Sequence, residues 1–165
     1  MKSPKIWLLI IFLTAASSAL AGFQSESWEV LPGLPEYEVY WAIDGNTIEV
    51  EGLGEVKYIG VVTPKLGKGL ADPEPFALEA WEANRCLVEG KKVQLELGYD
   101  QRNSKGQYLA YVYIGSTFVN AYLLEAGLAR TKMVPPNYKH MFLFERLERE
   151  ARREKRGIWS LVRRS

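Results

Sequence analysis

Hydrophobic and polar positions alternate along YEVYWAID, so that Tyr37, Val39, Trp41 and Ile43 fall on one face of a half-buried strand ending at Asp44. Asp44-Gly45-Asn46 is a turn signal. Thr47 to Glu51 alternates again, Gly52 and Gly54 punctuate a hairpin, and Val56 to Val62 predicts a third strand, which completes a meander. The period then lengthens. Pro73 and Pro75 mark a helix start, Phe76, Ala80, Ala83 and Leu87 recur at helical spacing, and Gly90 is the stop. Lys91 to Tyr99 predicts a fourth strand, DQRNSKG (Asp100 to Gly106) a polar loop, and Tyr108 to Ile114 a fifth strand. Asn120 to Ala126 reads as a short helix closed by Gly127. Beyond Pro135-Pro136, the stripe Phe144, Leu147 and Ala151 predicts a longer helix from Lys139 to Arg156, ended by Gly157, with Ile158 and Trp159 packing back.

Five short strands, a helix between the third and fourth, and helices at the end describe an α+β chain. The expected architecture is a small closed barrel of the oligonucleotide/oligosaccharide-binding (OB) type, five strands with three helices.

The first residues follow another rule. Lys2 and Lys5 precede an apolar run, Ile6 to Leu13, and then Ala19-Leu20-Ala21, the small-x-small pattern of a signal-peptidase site. The run is short for a membrane span. Residues 1–21 are therefore expected to be a leader cleaved near Ala21, and residues 22–165 one exported domain, periplasmic or secreted, without a membrane span and monomeric. The lone Cys86 allows no internal disulfide, and its place among Trp81, Ala83 and Leu87 predicts a buried small hydrophobe. Charge changes the picture modestly: the whole chain is +1, whereas from Lys139 onward 9 basic residues face 4 acidic ones. A basic tail suits either an anionic partner or the solvated face of an amphipathic helix.

Six segments carry a resemblance: AIDGNTI (Ala42 to Ile48), VKYIGVVTP (Val56 to Pro64), EGKKVQLEL (Glu89 to Leu97), LAYVY (Leu109 to Tyr113), FVNAYLLEAGLAR (Phe118 to Arg130) and KRGIWS (Lys155 to Ser160). Together, and in this order, they resemble the staphylococcal nuclease (thermonuclease) family over nearly the whole chain after the leader. The resemblance implies the same OB barrel, and a family chemistry of calcium-dependent phosphodiester cleavage in DNA and RNA. The logic of that chemistry is simple: a hard cation needs oxygen ligands, chiefly carboxylates. Two arginines stabilise the five-coordinate phosphate and a glutamate assists the attacking water.

Carried over residue by residue, the implied site is altered wherever it does chemistry. The family's DGDT turn reads DGNT, which puts Asn46 at the first metal aspartate. Its RLxxVDTPE strand end reads KYIGVVTPK: Lys57 replaces the first arginine, Val62 the second metal aspartate and Lys65 the glutamate, while the carbonyl-donating Thr63 persists. Its YGRxLAY segment reads KGQYLAY, with Gln107 at the second arginine and Lys105 at a tyrosine that stacks near substrate. Asp44 remains, as a supporting carboxylate. Valine offers no side-chain oxygen, lysine lacks the bidentate fork of arginine, and Gln107 lacks the charge. No calcium or other cofactor is expected here.

Residues that the resemblance makes structural are kept: Glu96 and His140 as a pair tying the barrel to the last helix, and Asn120 as a buried hydrogen-bonded amide. The expectation is thus a non-catalytic module that binds single-stranded nucleic acid or another polyanion. Lys57, Lys65 and Lys68 would face phosphate, with Lys105 across the groove and Lys132 near the family's second stacking position. Two alternatives stand beside it. One is a calcium-dependent nuclease with a site rebuilt from Asp44, Glu49, Glu51, Asp72 and Glu74. The other is a protein-interaction module of the cell envelope.

Overall fold

The computed structural model describes residues 33–67, 71–132 and 135–161. The expected leader with its cleavage point, and Lys68, lie outside the described residues. The elements in chain order are β1 (Glu36–Asp44), β2 (Thr47–Val50), β3 (Gly54–Tyr58), β4 (Val61–Val62), α1 (Ala77–Val88), β5 (Lys92–Arg102), β6 (Tyr108–Ile114), β7 (Thr117–Phe118), α2 (Val119–Glu125), β8 (Arg130–Thr131) and α3 (Met141–Arg153), followed by a 3-10 turn, Gly157–Leu161.

Strands β3-β2-β1-β5-β6 are neighbours in that order, and β3 pairs in parallel with β6, closing a five-stranded barrel. The other barrel pairs are antiparallel. Helix α1 crosses between the third and fourth barrel strands, as the sequence predicts. Val39, Ile48, Val50, Val56, Leu95 and Val112 fill the interior, and Phe118, Leu123, Leu124 and Phe144 close it. Each such side chain contributes about 1.5–3 kcal/mol by leaving water.

Several expectations need correction. Tyr37 and Val39 point inward as alternation requires, but Trp41 and Ile43 are exposed and Ala42 is buried. Register shifts between Val39 and Trp41 and between Ala42 and Asp44 account for this, since a bulge reverses the phase of a period-two pattern. The third strand does not run from Val56 to Val62. It stops at Tyr58, and Val61–Val62 restarts as β4, paired with β8. Gly60 makes the break: its φ is 78°, and a Cβ there would lie 2.5 Å from the Phe144 ring.

Helix α1 is rotated from the expected stripe. Ala77, Ala80, Asn84 and Val88 are buried, whereas Ala83 and Leu87 are half-buried. Phe76 precedes the helix in a left-handed conformation and packs by Ala151, Ile158 and Trp159. Cys86 is exposed, contrary to the sequence reading, because the small residues take the strand-facing side. Strand β5 extends through Arg102 into the predicted loop, and α3 spans only Met141–Arg153, within the predicted range. The stripe Phe144, Leu147 and Ala151 is buried as predicted, as are Ile158 and Trp159. The Pro135-Pro136 peptide is cis.

Candidate functional site

The β1–β2 turn, β3 and the segment after β4 converge at one end of the barrel. Asp44 pairs with Thr47 across the turn, and Thr47 pairs with Lys57 across the next ladder, so strand register alone brings Lys57 beside the turn. The Lys57 ammonium donates to Thr47 Oγ1 at 2.6 Å, to Asn46 Oδ1 at 2.8 Å and to Asp44 Oδ2 at 3.2 Å. An ammonium has three N–H donors, and these three groups occupy them.

Asn46 is buried and fixes the turn from inside. Its Nδ2 donates to the Val61 carbonyl at 2.7 Å, its Oδ1 also accepts from Thr63 Oγ1 at 3.1 Å, and its backbone N–H donates to Asp44 Oδ1 at 2.9 Å. Thr63 is buried too, held by that bond. Val62 pairs with Arg130 between β4 and β8.

Burial pushes the Lys57 ammonium below the ordinary lysine range; the Asp44 carboxylate opposes this, and the Lys105 and Lys132 charges reinforce it. Three lysines therefore share one electrostatic neighbourhood. Lys105 and Lys132 are exposed, Lys132 being anchored by its backbone N–H to the Gly60 carbonyl at 2.9 Å. Lys65 is exposed as well, and its backbone N–H donates to Glu74 Oε2 at 2.9 Å. The Lys57 ammonium, expected to face phosphate directly, has its three donors engaged within the turn. Gln107 is likewise engaged, donating to Glu55 and accepting from Asn103 Nδ2 at 2.7 Å.

Asn120 is buried, accepts from the Val112 N–H at 3.0 Å and donates to the Ile59 carbonyl at 2.8 Å. Glu96 and His140 meet at the Tyr113 hydroxyl, 3.3 Å from each, and Lys139 also donates to Glu96, at 2.6 Å. The His140 ring packs edge-on against Tyr111 and Phe118, with centroids 4.6 and 4.9 Å away. Burial lowers the His140 pKa; Glu96 opposes the shift and the Lys139 charge adds to it.

The turn does not suit a divalent cation. Asn46 Oδ1 already accepts two hydrogen bonds, Asp44 is bound to Lys57, Val62 has no side-chain oxygen, and an ammonium stands among them. Among the described residues, no three His, Cys, Asp or Glu side chains converge as a metal group.

Two participants, Thr47 and Asn84, escaped the sequence reading, and a third, Glu74, has another partner than the one expected. Thr47 was legible, because the predicted hairpin places it opposite Lys57. Asn84 is fully buried and links the Tyr58 hydroxyl, at 2.7 Å, to the Asp44 carbonyl, at 2.8 Å. Its only signal was a polar residue on the buried side of a helix. Glu74 was weighed as a metal carboxylate; its partnership with the Lys65 backbone depends on a loop path that no periodicity encodes.

Comparisons with known proteins agree with this architecture. A family profile described as "Staphylococcal nuclease homologue" matches residues 55–161. The chain is 35% identical over 127 residues to a thermonuclease of Staphylococcus hyicus, covering 75% of each protein. It is 40% identical over 124 residues to the endonuclease YncB of Bacillus subtilis, covering 72% of this chain and 59% of that one. An uncharacterized endonuclease of Escherichia coli O157:H7 is 31% identical over 135 residues, covering 81% and 83%. With the closed barrel, the three helices and these matches all in agreement, the chain belongs to the staphylococcal nuclease homologue family.

Proposed function

We propose that this protein is an exported, monomeric, non-catalytic member of its family that holds single-stranded nucleic acid, or a polyanion of like charge spacing, on the lysines around the Asp44–Asn46 turn. The observation that carries this reading is the saturated Lys57 ammonium, seated on Asp44, Asn46 and Thr47. A cation built into the chain supplies positive potential but no Lewis acid. Neither Lys57 nor Gln107 offers the bidentate grip on a phosphate that an arginine gives. Lys65, Lys105 and Lys132 remain exposed to meet a phosphate backbone as point charges.

Fluorescence anisotropy of a labelled 12-nucleotide single strand, titrated with the purified protein over a range of salt, tests the reading. Neutralising about three phosphates gives a slope of roughly −2 for log affinity against log salt. Replacing Lys65, Lys105 and Lys132 by alanine should flatten the slope and abolish most of the binding; a salt-independent or absent interaction in the native chain would refute it.

A second reading draws on the relatives' names, which are those of nucleases, and on Glu74, whose carboxylate accepts from the Lys65 backbone N–H two residues after Thr63. A site rebuilt around Asp44 and Glu74 would cleave nucleic acid in calcium, and loss of cleavage on Glu74→Gln would identify it.

A further inference from the structure

Two tyrosines stand out among the exposed side chains. Tyr99 on β5 is 86% exposed and Tyr138, just before α3, is 46% exposed. The backbone beneath them is rigidly joined. Asn137, itself buried, accepts from the Tyr99 N–H at 2.6 Å and donates to the Asp100 carbonyl at 3.3 Å, and its own carbonyl accepts from the Tyr111 hydroxyl at 3.4 Å. Gly98 makes this approach possible, since a Cβ there would lie 2.6 Å from Asn137 Oδ1. The fold thus spends a buried amide to fix the segments that display two aromatic rings to water. A ring held on rigid backbone loses little freedom when a ligand stacks on it.

The chain leads from these segments toward the lysines. Strand β5 runs from Tyr99 through Arg102, whose guanidinium lies 3.6 Å over the Tyr108 ring, into the turn that carries Lys105. On the other side, the Gly98 backbone abuts the Ile59 side chain, next to the Gly60 carbonyl that anchors Lys132. From Tyr99 to Lys105 the one acidic residue, Asp100, stands against Arg102 and Lys105.

We infer that Tyr99 and Tyr138 are base-stacking platforms, so that the ligand is single-stranded nucleic acid with its bases unstacked rather than a generic polyanion. The inference rests on the binding function proposed above and deepens it. Every base has a π face, so such platforms recognise single strands with little sequence preference, while the lysines track the phosphates. These positions differ from Lys105, where the resemblance places a stacking tyrosine, and from the second stacking position that it places near Lys132.

The test compares two labelled probes on the full chain by anisotropy: a 12-mer of deoxythymidine, and a 12-mer of the same length and charge whose residues are abasic. The account expects the thymidine strand to bind about ten-fold more tightly, and the probes to converge in a Tyr99→Ala/Tyr138→Ala variant. The Tyr99→Phe/Tyr138→Phe variant keeps the rings and should keep the preference, which separates stacking from a hydroxyl contact or a folding defect. Equal, salt-dependent binding of both probes by the native chain would overturn the stacking inference and leave lysine-based binding standing. Persistence of the preference in the alanine variant would also overturn it. Failure to bind either probe would overturn both.

Discussion

The Lys57 ammonium lies 2.8 Å from Asn46 Oδ1, a hydrogen bond between the two positions at which the resemblance expects a phosphate-binding arginine and a metal-binding aspartate. The two departures are therefore one arrangement. Asn46 turns its oxygen to Lys57 and Thr63 and its nitrogen to the Val61 carbonyl, so the neutral amide satisfies both a cation and a carbonyl that a carboxylate could not serve together.

Removing the ammonium should weaken the fold. Lys57→Met leaves Asp44 without its ion-pair partner and removes a donor from Asn46 and Thr47. Both charged side chains are about a third exposed, so solvent softens the loss. A cost of about 1–2 kcal/mol is expected in urea denaturation. An unchanged midpoint would mean that the turn holds itself without the lysine.

Calcium should not stabilise the native chain. A ligand that binds only the folded state raises the melting temperature by mass action. With Asn46 and Asp44 committed to Lys57 and Val62 lacking an oxygen, the Tm in millimolar calcium should match that in chelator. A rise of several degrees would reveal a ligand set elsewhere.

His140 is the one histidine of the chain, so its ring protons are directly assignable by NMR. Its folded pKa should lie below the ordinary 6.5, because burial outweighs the Glu96 carboxylate. The unfolded chain then binds more protons between the folded value and 6.5, so the stability present above 6.5 is lost as pH falls through that window to the folded value. His140→Gln should flatten this slope. A titration above 6.5 would show that Glu96 dominates instead.

Gly60→Ala should be severe. The residue sits at φ 78°, and the new methyl would lie 2.5 Å from the Phe144 ring, so backbone strain and overpacking act together. About 2–4 kcal/mol is expected by thermal or chemical denaturation, more than for alanine at exposed Gly106, whose added Cβ meets nothing within 4 Å.

The barrel was legible because its signals are local. Tyr108–Ile114 matched its strand residue for residue, and the Phe144, Leu147 and Ala151 stripe found its buried face. What alternation could not show was the bulge that turns Trp41 outward, or the single glycine that splits β3 from β4, since the first depends on the exact register with β2 and the second accompanies pairing with the distant β8. The altered site was visible as residue identities at the positions 46, 57, 62, 65 and 107. Its internal closure was not, because a sequence names Lys57 without saying that its three donors are spent on Asp44, Asn46 and Thr47. Tyr99 and Tyr138 were hidden for a related reason: their segments meet through the long-range Asn137 bridge, which no local pattern encodes.

The most direct measurement of the central claim is hydrolysis of heat-denatured DNA by the purified protein, in calcium and in chelator, across a range of pH. The account predicts no cleavage in either condition from a sample that is folded and binds single strands. Calcium-dependent cleavage that disappears in an Asp44→Ala variant would contradict it, and would show that the turn around Lys57 supports chemistry after all.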